Sequence, residues 1–503
     1  MITLLESMLA PLNREALQTL LLNLARSRPE WGAEIEKEIA KLPPSPTPPF
    51  VLAGVGALAV APVPLAPTVI RKQVRNALKA ALSSENINSW DDDDSDRIME
   101  LESGITPLIE IADASIEAGD GRAAFPTLEA ITDELIGEWE RVEDVISEAS
   151  ELFEDLGRAW AEALLTVELT PEERQDWIDR LETWQEAGDT CGADRGLAVA
   201  VEAAKQGWDY PPLVRVLQGE ITDKGAWEDE PEDCADELAV ARLNVLERQG
   251  RWQEAAYLAE AEGQYERHMA LLVRLGRAEE AVEIALTLLS TAASALTLAK
   301  VLIENNEINR ALRIGEHGLS LQGPISPLAI WLRDTALAVE EKALAIRAAM
   351  AALREAPNLI DYTRLQEIAD EQWPPLREEI LTRLRATRSF DAANHVDIFL
   401  HEGMREEALH AVHDSWNYDL VARVVETLTP ELPLQVIPIC AHQAARIMDA
   451  GKADRYHYAA QWVERARNAY RAAGQEEQWQ AYKAGLLATH QRKYKLVPML
   501  RPL

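Results

Sequence analysis

A short helix-forming motif recurs in the second half of this sequence. Each copy begins with glycine or asparagine, continues with polar residues and ends with small or apolar ones. The copies occupy residues 250–256, 276–282, 306–312 and 403–409. Gly276 follows Gly250 by 26 residues and Asn306 follows Gly276 by 30 residues. This spacing is close to one helical hairpin per copy.

The residue types of the motif indicate how successive helices join and pack. Glycine readily adopts the left-handed conformation of a turn, and a small alanine lets the next helix approach closely. Isolated hairpins cannot bury an apolar stripe, so they stack into a solenoid whose concave side is available for partners. We therefore predict an all-α fold, an irregular α-solenoid of helical hairpins similar to tetratricopeptide repeats. The predicted stripe of one repeat consists of Ala278, Ala281, Val282, Ala285, Leu286 and Leu289.

Composition along the chain suggests four parts. Residues 1–42 have the apolar spacing of a small helical unit, and residues 43–68 form a linker rich in proline and alanine. Residues 69–240 are predicted to form an acidic helical domain, and residues 241–503 the repeat region with a C-terminal capping hairpin. The apolar run at residues 50–61 is shorter than the ~20 residues that a membrane-spanning helix needs, so we expect no membrane insertion. A peripheral contact or a docked extended segment is the alternative for this run.

The charge of the chain is concentrated in its acidic domain. Residues 90–240 contain 10 basic and 43 acidic residues, whereas residues 241–503 contain 31 and 35. A field of this sign repels phosphate backbones and favours a partner with a basic surface. The alternative is a solvated acidic face that only keeps the array soluble. The densest run, Asp91, Asp92, Asp93 and Asp94, is the first candidate for partner binding.

A calcium loop is the other interpretation of this aspartate run. Asp91, Asp93, Ser95 and Glu102 occupy positions 1, 3, 5 and 12 of an EF-hand loop. The sixth position requires glycine for a sharp turn, and this chain has Asp96 there. We therefore expect no calcium site.

Candidate catalytic and metal-binding residues are few. The best metal candidates are four histidines, but no Glu-x-x-His motif accompanies them, and surface positions on a helix explain them better. Cys440 and His442 are two residues apart, which directs their side chains away from each other on a helix. Phosphate-loop and nucleophile-elbow motifs are absent from the sequence. We expect no enzymatic activity, cofactor or metal. The four histidines are His395, His401, His410 and His413.

Three cysteines that lie far apart in sequence favour neither a disulfide framework nor a zinc site. We expect them to be free thiols in a reducing cytoplasm. They are Cys191, Cys234 and Cys440.

Two short basic segments are the candidates for contacts with nucleic acid. One is a predicted amphipathic helix at residues 69–82, and the other lies near the C-terminus, where aromatic and basic residues alternate. Such alternation is typical of surfaces that stack the bases of single strands. It is also typical of a capping hairpin whose aromatic residues cover the last repeat. The basic candidates are Arg71, Lys72, Arg75, Arg492, Lys493 and Lys495.

Aromatic and basic residues near the C-terminus carry a resemblance to a known family, together with shorter segments upstream. They are residues 458–470, Gly474, Trp479, Tyr482 and residues 490–496, and residues 12–39, 69–82 and 208–212. These segments resemble parts of bacterial SWIM zinc-finger proteins, which join a zinc module to a long helical region thought to contact protein or DNA. This sequence departs from the family because it has no Cys-x-Cys pair, and Cys440 has no partner thiols. The resemblance therefore implies a helical interaction region without a zinc site.

These observations predict a non-enzymatic scaffold or regulatory adaptor that binds a partner protein, with the acidic domain favouring a basic partner. The alternative is a nucleic-acid-linked regulator that contacts DNA through the two basic segments.

Overall fold

A computed structural model describes residues 65–83, 93–138, 150–188, 193–386, 392–413, 415 and 417–503. The predicted unit at residues 1–42, most of the linker at 43–68, Asp91 and Asp92 lie outside the described residues, as do the side chains of Asp93 and Asp94. The described residues contain helices and no β-strand, and Thr291 and Gln322 form an isolated parallel bridge.

The acidic part of the chain forms helices that bury the apolar stripes visible in its sequence. Leu101, Ile105 and Ile116 are buried on the second of these helices, and Trp160 is buried on the fourth. The helix predicted at residues 69–82 is also present. The helices are α1 (Pro67–Ser83), α2 (Asp93–Glu117), α3 (Gly121–Glu138), α4 (Ser150–Thr166), α5 (Pro171–Gly188), α6 (Ala193–Gln206) and α7 (Pro211–Leu217).

The repeat part continues the same arrangement with shorter helices. They are α8 (Ala235–Arg248), α9 (Trp252–Ala261), α10 (Tyr265–Arg274), α11 (Ala278–Leu288), α12 (Ala292–Glu304), α13 (Ile308–Gly318), α14 (Ser326–Ala338), α15 (Lys342–Glu355), α16 (Leu359–Ala369), α17 (Trp373–Ala386), α18 (Ala392–His401), α19 (Arg405–Val412), α20 (Tyr418–Leu428), α21 (Pro433–Asp449), α22 (Tyr456–Ala472), α23 (Glu476–Thr489) and α24 (Val497–Leu500).

The first residue of each sequence motif ends a helix in the left-handed conformation. The φ angles are 71° at Gly250, 78° at Gly276, 62° at Asn306 and 70° at Gly403. Gly250 N–H donates to Glu247 O, and the next N–H, of Arg251, donates to Leu246 O. The other three motif turns have the same pair of bonds, which defines a Schellman cap. The predicted turn is confirmed at all four positions.

Packing between helices is local in sequence. The described helices pack mainly against neighbours one or two places along the chain, and the longest step joins α8 to α4. Their buried side chains form successive clusters, which run from Ile70 to Ala204 at one end and from Leu312 to Leu500 at the other. A chain of neighbouring contacts of this kind is an α-solenoid. The predicted fold class is thus confirmed.

The acidic and repeat parts are joined by continuous packing. Helix α8 contains the predicted boundary at residues 240/241 and packs against both α4 and α6. The division of the chain into domains stays a prediction.

Candidate interaction surface

Several basic side chains of residues 93–240 are used in internal contacts. Five of them pair with a carboxylate of another helix or loop, and Lys224 donates to the main-chain oxygen of Glu228 at 2.6 Å. Arg97 also has an interaction partner, whereas Arg215 is exposed. The pairs are Arg122–Glu173, Arg158–Asp113, Arg174–Asp209, Arg180–Glu129 and Lys205–Glu182, at 2.6–3.0 Å.

This pairing leaves a surplus of carboxylates on the surface. They are exposed and have no ion pair among the described residues, so their charges are directed to solvent or to a partner. We call this set the acidic surface. It consists of Glu100, Glu110, Glu117, Glu151, Glu154, Glu168, Glu172, Asp176, Glu186, Glu220, Asp223, Glu228, Asp229, Glu230, Glu232, Asp233, Asp236 and Glu237.

The densest part of the acidic surface lies on the loop between α7 and α8. Residues 218–234 contain seven acidic residues and one basic residue. The Glu262 carboxylate accepts from the Ala226 N–H at 2.6 Å, and the buried Trp227 side chain anchors the loop next to it. The Tyr210 hydroxyl also accepts from the Glu228 N–H at 3.3 Å. These contacts hold the loop backbone in place while its carboxylates stay exposed.

The loop and α6 enclose a depression of about 310 Å³. We call it the acidic depression. Five carboxylates and Lys205 line it, and Tyr210 and Trp227 add aromatic surface. A site of this composition suits a guanidinium or ammonium group that carries some apolar surface. The carboxylates are Glu202, Glu228, Asp229, Glu230 and Glu232.

A buried arginine is linked to the wall of the acidic depression. Arg242 is 1% exposed, and its Nη2 donates to Gln206 Oε1 at 2.7 Å, while Gln206 Nε2 donates to Glu202 Oε2 at 3.0 Å. Burial lowers the pKa of Arg242 to about 10. Burial also raises the pKa of Glu262, which anchors the loop. Gln206 thus connects the buried guanidinium to a carboxylate that lines the depression.

Two of the three basic residues predicted as a partner site on α1 already pair with carboxylates of the same chain. Arg71 Nη2 lies 2.8 Å from Asp133 Oδ2, and Arg75 forms a bidentate pair with Glu134 at 2.6 Å. Lys72 is exposed. An external partner of Arg71 or Arg75 would have to displace these carboxylates of α3, and the assignment of all three residues to a partner site stays a prediction.

The aromatic residues near the C-terminus mostly face the interior. Trp462 and Trp479 are buried, and Trp479 packs against Tyr470 and Tyr482 with ring centroids 6.1 and 6.2 Å apart. Trp462 and Trp479 are therefore not available to stack bases, and their packing favours the capping interpretation, whereas Tyr458 is 52% exposed. Tyr494 is exposed, and it stands among Arg492, Lys493 and Lys495.

The candidate metal and catalytic residues are dispersed. His395 is buried on α18, His401 and His410 are exposed, and His413 stacks on His442 with centroids 5.3 Å apart. Among the described residues, no three His, Cys, Asp or Glu side chains converge as ligands for a metal ion.

Both described cysteines are buried free thiols. Burial raises the pKa of Cys440 to about 12 and that of Cys234 to about 11. A thiol with such a pKa is a poor nucleophile at neutral pH.

None of the described helices is both long enough and apolar enough to span a lipid bilayer.

Comparison with known proteins adds little to this geometry. No family model matches the sequence, and no curated protein sequence matches it. A solved structure with a similar chain is a circular tandem repeat protein with novel repeat topology and enhanced subunit contact surfaces, at 17% identity over 86% of this chain and 97% of that chain. Its TM-score is 0.19. The α-solenoid assignment therefore rests on the helices of this chain, and the resemblance to SWIM zinc-finger proteins stays a prediction.

Proposed function

We propose that this protein is a non-enzymatic scaffold that binds a partner protein with a basic surface. The helical repeats are the supporting framework, and the acidic surface is the binding region. The proposal rests above all on one observation, which is that five basic side chains of residues 93–240 pair with carboxylates of other elements while the carboxylates of the acidic surface stay exposed.

The acidic depression is the proposed centre of this binding region. Four of its five carboxylates sit on a loop whose backbone is held by Glu262 and Tyr210, so little conformational entropy is lost when a partner binds. Exposed charges of this kind increase the rate of association and the specificity more than the affinity. A partner with lysine or arginine side chains next to apolar surface fits this arrangement.

Non-enzymatic binding is supported by the state of the nucleophiles and bases. The Cys234 and Cys440 thiols are buried with raised pKa values, and the four candidate histidines do not converge with other possible ligands among the described residues. Free buried thiols also fit the proposed reducing cytoplasm. The alternative regulator that contacts DNA stays a prediction, which a gel-shift assay tests.

The proposal is tested by titrating the protein with a fluorescent lysine-rich peptide at low and at physiological ionic strength. The test variant combines Glu228→Gln, Asp229→Asn, Glu230→Gln and Glu232→Gln. We expect its affinity to fall about tenfold, because each exposed ion pair contributes ~0.2–1 kcal/mol. Wild-type affinity should also weaken as salt is added.

A matched control makes the same change of charge elsewhere. Glu283, Glu304, Glu371 and Glu406 are exposed on the repeat part and have no ion pair among the described residues. Their substitution by glutamine should leave the affinity within about twofold of wild type, since a Debye length of ~8 Å screens distant charges. Equal losses in both variants would show that net charge, and not the acidic depression, attracts the peptide.

A further inference from the structure

The C-terminal segment of the chain is positively charged, whereas the acidic surface is negatively charged. Residues 478–503 contain five basic residues and no acidic residue. Two of the five are held by main-chain oxygens, since Lys483 Nζ donates to Arg501 O at 2.8 Å and Lys493 Nζ donates to Met448 O at 2.6 Å. The side chains of Arg492, Lys495 and Arg501 are exposed and have no partner among the described residues.

An exposed tyrosine lies between two of these free cations. Tyr494 is 79% exposed, although Leu496, two residues later, is fully buried. The turn is fixed by main-chain bonds from Lys493 N–H to His490 O and from Leu496 N–H to Lys493 O. We call Arg492, Tyr494 and Lys495 the cationic patch. A largely exposed aromatic ring on a fixed turn between two cations is typical of an interface anchor.

The elements that carry the cationic patch and the acidic depression are separated by many helices in the series of neighbouring contacts. Helices α20–α24 belong to the cluster of buried residues between Leu312 and Leu500, and their close packing partners are neighbours in that cluster. The acidic depression lies on α6 and the loop before α8. In sequence, the repeats α9–α16 lie between this depression and helices α20–α24. A complementary surface for the patch is therefore available on a second copy of the chain.

We propose that the cationic patch of one copy docks into the acidic depression of another. This inference rests on the proposed function, because it uses the same acidic surface as the acceptor. Arg492 and Lys495 pair with carboxylates of the loop at Glu228–Glu232, and the Tyr494 ring packs against the aromatic residues of the depression. Such a contact is heterologous, so it builds rings or open chains rather than closed dimers.

The net charge of −35 opposes association at long range, but it does not prevent this contact. At physiological ionic strength the Debye length is ~8 Å, so charges far from the contact are screened. The facing charges at the contact are much closer than this and still attract. We therefore expect association at physiological salt that disappears when the salt is raised to about 1 M, where the Debye length is ~3 Å.

Sedimentation velocity over a range of protein concentrations tests the proposal. Wild type should show species larger than a monomer, and Arg492→Glu with Lys495→Glu should be monomeric. The matched control is Lys79→Glu with Lys300→Glu, two exposed lysines without a partner in the structure, and it should associate like wild type. Far-ultraviolet circular dichroism should be the same for all of them.

A charge swap makes the test specific for the two surfaces. Glu230→Lys with Glu232→Lys should be monomeric alone, because its depression then repels the patch. Mixing it with Arg492→Glu/Lys495→Glu should restore association. A monomeric wild type at every concentration, or association that ignores these substitutions, would overturn the proposal.

A peptide titration distinguishes failure of self-association from failure of the proposed function. If the lysine-rich peptide binds the acidic surface while the protein stays monomeric, the proposed function holds and self-association is wrong.

A gel-shift assay with a labelled single strand and a labelled duplex tests whether the cationic patch binds nucleic acid instead. If monomeric wild type binds either one and Arg492→Glu/Lys495→Glu does not, the cationic patch is a nucleic-acid site and the proposal is overturned.

Discussion

The carboxylate of Glu162 lies 2.5 Å from Nη2 of Arg248, although 86 residues separate the two in sequence. Glu162 is 1% exposed, and it also accepts from Asn244 Nδ2 at 2.6 Å. The contact joins α4 of the acidic part to α8 of the repeats. It therefore holds the helices that carry the acidic surface in a fixed relation to the scaffold.

Removing this carboxylate should strongly destabilise the protein. Glu162→Ala leaves Asn244 and the partly exposed Arg248 without their shared acceptor, and losing a buried charged hydrogen-bond partner costs about 1–3 kcal/mol. Urea unfolding followed by tryptophan fluorescence measures the loss. The control is Glu154→Ala on the same helix, an exposed residue without an ion pair, which should change the free energy of unfolding by less than about 0.5 kcal/mol. Similar values for the two variants would contradict the role assigned to Glu162.

A close approach of α4 and α6 depends on two glycines. A Cβ atom at Gly157 would lie 1.6 Å from the main-chain oxygen of Gly196, so Gly157→Ala forces the helices apart. We expect a loss of at least about 3 kcal/mol in the same unfolding assay. Gly485→Ala is the control, because a Cβ there meets nothing within 4 Å inside α23. It should stabilise the protein by about 0.5–1 kcal/mol, and a neutral Gly157→Ala would show that the helices do not meet there.

Acid should weaken the start of α5 through Glu173. Its side chain accepts from the Thr170 N–H at 2.9 Å, and the Thr170 hydroxyl accepts from the Glu173 N–H at 3.2 Å, which forms a capping box. Bonds from Arg122 and Thr170 lower the pKa of Glu173 from 4.5 to about 2. The stabilisation is therefore complete above pH 4.5 and is lost as the pH falls towards 2.

Thermal unfolding at several pH values checks this effect. At neutral pH, Glu173→Gln should unfold at a lower temperature than wild type, and the difference should shrink as the pH falls from about 5 to about 2. Glu172→Gln, which changes an exposed neighbour without an ion pair, should follow wild type at every pH. A difference for Glu173→Gln that stays constant with pH would rule out the capping carboxylate as its cause.

Thiol labelling tests the proposal that the cysteines are structural. In a Cys191→Ser variant, Cys234 and Cys440 remain, with pKa values raised by burial to about 11 and about 12. Fewer than roughly one in a thousand of these thiols is ionised at pH 8, so a disulfide reagent should modify neither in the folded protein. Both should react at once in urea. Rapid reaction of Cys440 in the folded state would reopen the catalytic interpretation of Cys440 and His442.

The sequence alone predicts features that depend on residues close to one another along the chain. The turn at Gly276 and the stripe that includes Ala281 and Ala285 follow from helical periodicity and backbone preference, and the structure contains both.

Contacts between distant residues were not predictable in this way. Arg71 has the spacing of a solvated residue on a polar helix face, but its carboxylate partner Asp133 is 62 residues away on α3. The acidic depression also escaped prediction, because it depends on the bond between Glu262 and the Ala226 N–H, 36 residues apart. The density of acidic residues at 228–233 was the available signal, yet charge alone does not reveal which loop the fold holds in place.

Hydrogen exchange of the protein saturated with the lysine-rich peptide tests the binding region most directly. The account predicts slower exchange of main-chain amides in α6, in the loop at residues 218–234 and at the start of α8, with no change in α10–α16. Protection confined to the repeats or to the C-terminal helices, or no protection at saturation, would contradict a binding region on the acidic surface.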